Sequence, residues 1–204
     1  MSTSAPALPA TAKGRATRER IVSAAARLML VDGVARTTLD DVGAEARVGR
    51  SQLYHYFDDK ARLVEAVIAH HAESVLGGDE LVRLDDWEAW RAWRDAVVAG
   101  QEAQACVGGC PLGSLASELS DIDDRARRAL GVTFDEWERR FRRGLEAMAR
   151  RGALATGGAP GRLATTVLAA LEGGLLLAQL RRSTAPLEAA LDGVLELLGA
   201  PERP

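Results

Sequence analysis

A run of side chains that donate and accept hydrogen bonds lies between residues 50 and 60. The members that suit contacts with DNA are Arg50, Ser51, Gln52, Tyr54, His55, Tyr56 and Lys60. An arginine bonds guanine O6 and N7 or holds a phosphate, and a glutamine pairs with adenine N6 and N7. Tyrosine hydroxyls and a lysine beside a helix N-terminus suit phosphate oxygens. The run therefore has the chemistry to hold and read double-stranded DNA.

Two short helices joined by a tight turn must position these side chains. Thr37 and Thr38 offer hydroxyl N-caps for a helix over residues 39–46. Residues 47–49 form the turn, and residues 50–56 form the second helix. The apolar positions that would face inward are Leu39, Val42, Ala46, Val48, Leu53 and Phe57. This is the helix-turn-helix geometry, in which the second helix lies in the major groove.

Apolar residues recur at helical spacing through most of the chain, and no segment shows the period of two that strands require. The longest stripe comprises Leu130, Phe134, Trp137, Phe141, Leu145 and Met148. We predict an all-α fold of about nine helices. Residues 1–14 are predicted to be a disordered arm, residues 15–62 a helix-turn-helix DNA-binding domain, and residues 63–204 a ligand-binding and dimerisation domain.

The charge distribution agrees with a basic head on an acidic body. Residues 1–62 hold ten Lys and Arg against seven acids, whereas the remainder holds sixteen against twenty-two. A polyanion would therefore meet only the head. The longest apolar stretch, residues 163–180, is interrupted by Glu172, Gly173, Gly174 and Gln179, which favours a buried helix over a membrane span. No secretory signal is evident, so we expect a cytoplasmic protein without membrane partners.

Residues 21–67 resemble the DNA-binding domain of the tetracycline-repressor (TetR) family of transcription regulators. The shared features are Asp32-Gly33, Thr37-Thr38, and the string Leu53-Tyr54-His55-Tyr56-Phe57 followed by Lys60. The segment 109–119 is also similar to one seen in the LmrA/YxaF-like branch. Two departures stand in the turn: the family commonly has Gly in place of Arg47 and Ser in place of Gly49.

The resemblance implies a homodimeric repressor that a small-molecule effector releases from a near-palindromic operator. It places the DNA contacts at Thr38, Arg50, Ser51, Gln52, Tyr54, His55, Tyr56 and Lys60. Two recognition helices about 34–36 Å apart would read successive major grooves. We expect the dimer interface on the last two helices, at Val167, Leu168, Leu171, Leu175, Leu191, Val194 and Leu198.

The effector site is predicted from aromatic residues in the second domain. Its candidate lining residues are Trp90, Trp93, Cys110, Leu115, Phe134 and Trp137. Aromatic lining would favour a small apolar or aromatic molecule. The alternative is that these rings, at helical spacing, form the core.

Cys110 leaves two further hypotheses open. It precedes Pro111, so it would lie at a helix N-terminus, where the helix dipole lowers a thiol pKa and favours a redox- or electrophile-sensing role. A small helical enzyme with Cys110 as nucleophile is the weaker hypothesis, because all three histidines fall between positions 55 and 71, on helices already assigned other roles. We predict no enzyme activity, no cofactor and no metal site, since two cysteines are too few for zinc and adjacent His70 and His71 would diverge on a helix.

Overall fold

The computed structural model describes residues 9, 11–77, 84–155 and 157–201. Within these ranges the chain forms nine α-helices and no strand, which confirms the all-α prediction. The helices are α1 (Ala12–Asp32), α2 (Leu39–Ala46), α3 (Arg50–Tyr56), α4 (Lys60–Leu76), α5 (Trp87–Ala103), α6 (Pro111–Leu119), α7 (Asp124–Arg150), α8 (Pro160–Arg181) and α9 (Ala185–Leu198).

The first helix begins earlier than the sequence predicts. The Thr11 side chain caps α1 by accepting the Gly14 N–H at 3.1 Å, and the Thr17 hydroxyl donates to the Lys13 carbonyl. The prediction of disorder is therefore wrong for residues 12–14. Residues 1–8 and 10 of the predicted arm lie outside the described residues.

Contacts between Cα atoms divide the chain into two compact units, Met1–His71 and Ala72–Pro204. In the first unit, α1 packs on α2 and α2 packs on α3. Buried Ile21, Leu53, Phe57 and Leu63 form the centre of its core. Each such side chain contributes about 1.5–3 kcal/mol when removed from water. The domain boundary predicted after residue 62 falls inside α4 and stays a prediction.

In the second unit, α8 packs against both α7 and α9. A Cβ added to Gly174 would lie 3.0 Å from the Leu187 Cα, so the glycine allows α8 and α9 to approach closely. By length and composition α8 also qualifies as a membrane span, with mean hydropathy 1.6, but 44% of that window is buried inside the protein. The buried residues of α8 pack against α7 and α9.

This packing corrects the predicted dimer interface. All seven residues proposed for it are buried against their own chain: Val167, Leu168, Leu171, Leu175, Leu191, Val194 and Leu198. The prediction was wrong because α8 carries two apolar faces, and the spacing alone does not tell which one the same chain covers.

Candidate functional site

The helix-turn-helix begins at a capping box on α2. The Asp41 N–H donates to the Thr38 hydroxyl at 3.1 Å, and the Thr38 N–H donates to the Asp41 carboxylate at 2.9 Å. The Thr38 hydroxyl donates to the same carboxylate at 2.6 Å, and these bonds lower the pKa of Asp41. Thr38, a predicted DNA contact, is therefore exposed but already hydrogen-bonded. Its structural role is to cap the N-terminus of α2.

The turn between α2 and α3 has the left-handed conformation that glycine usually supplies. Arg47 has φ 54° and ψ 49°, and its N–H closes on the Gly43 and Ala44 carbonyls. A side-chain-bearing residue held in this region stores about 1–3 kcal/mol of strain. Gly49 then begins α3 without a side-chain cap. Arg47 and Gly49 are the two positions at which the turn departs from the residues common in the family, and each departure changes the local backbone or capping.

Helix α3 turns one face inward and most of its polar residues outward. Leu53 is buried in the unit, and Phe57 is buried at the end of the helix. The exposed residues, which we call the α3 surface, are Arg50, Ser51, Gln52, Tyr54 and His55. The guanidinium of Arg50 lies 5.9 Å from the Tyr54 ring centroid and 3.8 Å from Asp40. The structure therefore brings five of the predicted DNA-contacting residues onto one solvent-facing surface.

Tyr56 and Lys60 are held by the protein itself. Tyr56 is half-buried and meets the His55 ring edge-on at 5.2 Å. The Lys60 ammonium donates to the carbonyls of Val34 and Ala35, in the loop before α2. These bonds tie the start of α4 to that loop. An ammonium has three protons, so one remains for a phosphate oxygen.

The predicted aromatic residues of the second unit form a packed cluster. Trp90 and Trp93 on α5 lie 5.6 Å apart between ring centroids, and Phe141 on α7 lies 5.6 Å from Trp90. Trp137 lies 6.4 Å from Phe141 and 6.1 Å from half-buried Phe134. All three tryptophans are buried, as is Leu115 on α6. The core alternative therefore describes their packing, and a contact of any of them with an effector stays a prediction.

A cleft of about 550 Å³ opens between α6 and α8. Its lining residues are Cys110, Gly113, Ser114, Ser117, Glu118, Glu172, Gly173, Leu176 and Gln179. Of the residues predicted to line the effector site, Cys110 is among those that line this cleft. Sequence reasoning missed Glu172, treating it only as an interruption of an apolar stretch. The sequence did offer a signal, because Glu172 is a lone acidic residue at a position that the helical spacing predicts to be buried.

The environment of Cys110 is opposite to the one that the sequence predicts. Its sulfur accepts the Gly113 N–H at 3.3 Å at the start of α6. Even so, burial first and the adjacent Glu172 carboxylate second raise the pKa of the Cys110 thiol to about 12. The expectation of a lowered pKa is wrong, because desolvation and a like charge outweigh the helix N-terminus.

Comparison with known families decides the identity of the chain. Residues 21–67 match the bacterial regulatory proteins of the tetR family, and residues 87–192 match the C-terminal domain of LmrA/YxaF-like transcriptional regulators. The chain belongs to the TetR family. Members of this family bind operator DNA as dimers and respond to small-molecule effectors.

Individual transcriptional regulators are similar over nearly the whole chain. A Lactococcus lactis HTH-type transcriptional regulator encoded in the lacX 3′ region is 28% identical, covering 87% of this chain and 91% of its own. The HTH-type transcriptional repressor DhaR of Mycobacterium sp. strain GP1 is 22% identical, covering 89% and 91%. A TetR regulator structure from Chloroflexus aurantiacus superposes with TM-score 0.78 at 29% identity, covering 91% and 96%. The protein is a DNA-binding transcriptional regulator of repressor type, and its relatives are not enzymes.

Proposed function

We propose that this TetR-family protein is a cytoplasmic repressor that binds a near-palindromic operator as a homodimer and leaves it when a small molecule binds the second unit. The observation that carries the proposal is the α3 surface. Five polar side chains face solvent on a helix whose buried face, centred on Leu53, anchors it to the first unit. That arrangement lets the helix enter a major groove without exposing its core.

Each side chain of the α3 surface has a role that its chemistry supports. Gln52 suits the N6 and N7 atoms of adenine, and Arg50 suits guanine or a phosphate. Ser51 and Tyr54 offer hydroxyls to phosphate oxygens, and His55 lies beside them. At the margins, Thr38, Tyr56 and Lys60 would contact the backbone while keeping their structural bonds.

An exposed leucine face supports the dimer. Gly173, Leu176, Leu177 and Leu180 recur along one side of α8, and Leu197 on α9 is also exposed. Leu180 is 76% exposed, an unfavourable position for a large apolar side chain that faces only water. Pairing this face with that of a second copy would form a four-helix arrangement across a two-fold axis.

The coupling between units follows the family pattern of a population shift. Helix α4 begins beside the helix-turn-helix at Lys60 and ends at Leu76, beyond the division after His71. An effector that favours one placement of this helix would change the spacing of the two recognition helices. The small apolar or aromatic effector predicted from the tryptophans belongs to this proposal.

Selection of bound sequences from a random duplex pool, followed by fluorescence anisotropy with the selected operator, tests the DNA-binding role. Gln52→Ala is expected to weaken operator binding about 5- to 150-fold, because it removes a bidentate base contact of about 1–3 kcal/mol. Gln104→Ala, at an exposed position after α5, is the matched control and should leave affinity unchanged. Failure to select any duplex, or binding without salt dependence, would contradict the proposal.

The same operator fragment tests the dimer. Leu180→Asp should lower the sedimentation coefficient to that of a monomer and abolish binding to the two-half-site operator. Val132→Asp, at another exposed apolar position on α7, should do neither. A wild-type protein that is monomeric at micromolar concentration on a full operator would refute the homodimer.

A further inference from the structure

The first turns of α1 carry a concentration of positive charge. The basic residues there, which we call the α1 patch, are Lys13, Arg15, Arg18 and Arg20. Glu19 is the single acid among residues 11–20. It is already engaged, because its carboxylate accepts from the Ser23 hydroxyl at 3.3 Å and lies 3.2 Å from His70 Nδ1. A surface with this excess of positive charge attracts an anion.

The α1 patch has side chains that are available to a partner. Lys13 and Arg20 are exposed, and neither side chain makes a hydrogen bond or an ion pair within the described residues. Elsewhere in the first unit, by contrast, Arg27 is paired with Glu45 at 2.7 Å, and Lys60 donates to backbone carbonyls. Lys13 and Arg20 therefore keep all their donors for an anion from outside the chain.

Local hydrogen bonds fix the start of α1 as a helix. The Thr11 hydroxyl accepts the Gly14 N–H at 3.1 Å, and the backbone N–H of Arg15 donates to the Thr11 carbonyl at 3.0 Å. The Arg15 guanidinium donates to the Pro9 carbonyl at 3.2 Å, which ties the chain before α1 to the first turn. Cationic side chains on an ordered helix lose less freedom on binding than those on a disordered arm.

The α1 patch also lies beside the C-terminal end of α3. A Cβ added to Gly14 would lie 3.7 Å from the Tyr56 hydroxyl oxygen, so the first turn of α1 reaches the end of α3. One turn later, the Arg18 guanidinium lies 5.3 Å from the centroid of the Phe57 ring. Tyr56 directly follows His55 of the α3 surface. When α3 lies in a major groove, the segment beside its end meets the sugar-phosphate backbone that borders the groove.

We propose that the α1 patch is a second DNA-contacting surface, on which Lys13 and Arg15 hold phosphates that flank the bases read by α3. The inference rests on the proposed function and deepens it, because it assigns DNA contacts to a helix outside the helix-turn-helix. The patch binds charge and reads no base, so it strengthens binding to every duplex equally and adds to the salt dependence. Thr11 positions Lys13 by capping the helix.

Fluorescence anisotropy with the selected operator and with an unrelated duplex of equal length tests the contact, between about 50 and 200 mM salt. In Lys13→Ala the slope of log affinity against log salt should fall by about two, since each phosphate contact contributes about 0.9 and a homodimer loses two contacts. Affinity for both duplexes should weaken by a common factor of about 2- to 30-fold. Arg15→Ala should have the same effect, and Lys13→Arg should restore the slope.

Three variants serve as comparisons. Arg128→Ala removes one exposed positive charge from α7 in the second unit, so it is the matched control and should leave the slope unchanged. Gln52→Ala should lower the preference for the operator over the unrelated duplex and keep the wild-type slope, because it removes a base contact. Thr11→Ala should reduce the slope less than Lys13→Ala does, because loss of the cap loosens the first turn of α1 without removing a charge.

The outcomes separate this proposal from the proposed function. If the operator is bound but Lys13→Ala and Arg15→Ala keep the wild-type slope, the repressor role stands and the α1 contact is refuted. If no duplex is bound at any salt concentration, the repressor role fails and the α1 contact fails with it. If Lys13→Ala weakens binding to vesicles of phosphatidylglycerol and phosphatidylcholine but not to either duplex, the patch meets an anionic membrane surface, and the proposal is wrong.

Discussion

The α3 surface and the α6–α8 cleft place polar chemistry in opposite environments. The α3 surface comes from neighbouring residues of one short helix, and its side chains remain in water. The cleft comes from two helices far apart in the sequence, and it buries Cys110 and half-buries Glu172. The residue types alone therefore indicate the chemistry of the α3 surface. In the α6–α8 cleft, burial changes the pKa values of the functional groups and hence their chemistry.

The largest expected effect concerns the Cys110 thiol. Its pKa is raised from an ordinary 9.0 to about 12, so near neutral pH it should hold ~1,000-fold less thiolate, the form that reacts with alkylating agents. Alkylation of native Cys110 should therefore be slower by about that factor than in the denatured protein, and it should accelerate with pH. Mass spectrometry of the digested peptide measures both rates. Equal rates in the native and denatured protein would restore the hypothesis of a reactive sensor thiol.

A pair of core substitutions tests whether the two regions depend on separate cores. Phe141→Ala should destabilise the second unit by about 3–5 kcal/mol, and Leu53→Ala should destabilise the first by about 2–5 kcal/mol. All four tryptophans lie in the second unit, at positions 87, 90, 93 and 137, so their fluorescence reports its unfolding alone.

Urea titration followed by this fluorescence should show a shifted transition for Phe141→Ala and a nearly unchanged one for Leu53→Ala. Leu53→Ala should instead lose operator binding while it remains a dimer in sedimentation. A shared shift of the fluorescence transition in both variants would show that the two cores unfold together.

The smallest expected effect concerns two arginines whose backbone has the left-handed conformation, one in each unit. Arg47 in the helix-turn-helix has φ 54°, and Arg182 after α8 has φ 51°. Arg47→Gly should stabilise the protein by about 1 kcal/mol, or roughly 2–4 °C in Tm, because glycine adopts this region without strain. Arg182→Gly should give little gain, since it also loses the bond from the Arg182 guanidinium to the Cys106 carbonyl at 2.9 Å.

Differential scanning calorimetry of both variants checks this difference. A rise in Tm for Arg182→Gly as large as that for Arg47→Gly would mean that the bond to Cys106 contributes nothing. A fall in Tm for Arg47→Gly would mean that its side chain has stabilising contacts that outweigh the backbone strain.

The sequence by itself determined the helix-turn-helix in detail. The predicted bounds of α2 and α3 agree with the structure, and so does the predicted Thr38 N-cap of α2. These features depend on interactions within a few residues, such as the reciprocal hydrogen bonds between Thr38 and Asp41. Local hydrogen bonds and helical spacing follow directly from the order of the residues in the chain.

Only the tertiary structure decided which apolar and polar groups are covered. It buried the leucines and valines expected at the dimer interface and exposed Leu176, Leu177 and Leu180 instead. It also placed the Lys60 ammonium against the Val34 carbonyl. It also brought Cys110 and Glu172 together and raised the pKa of both. The physical reason is that desolvation and long-range charge interactions depend on which helices pack together. The spacing of residues along one helix does not specify which other helices pack against it.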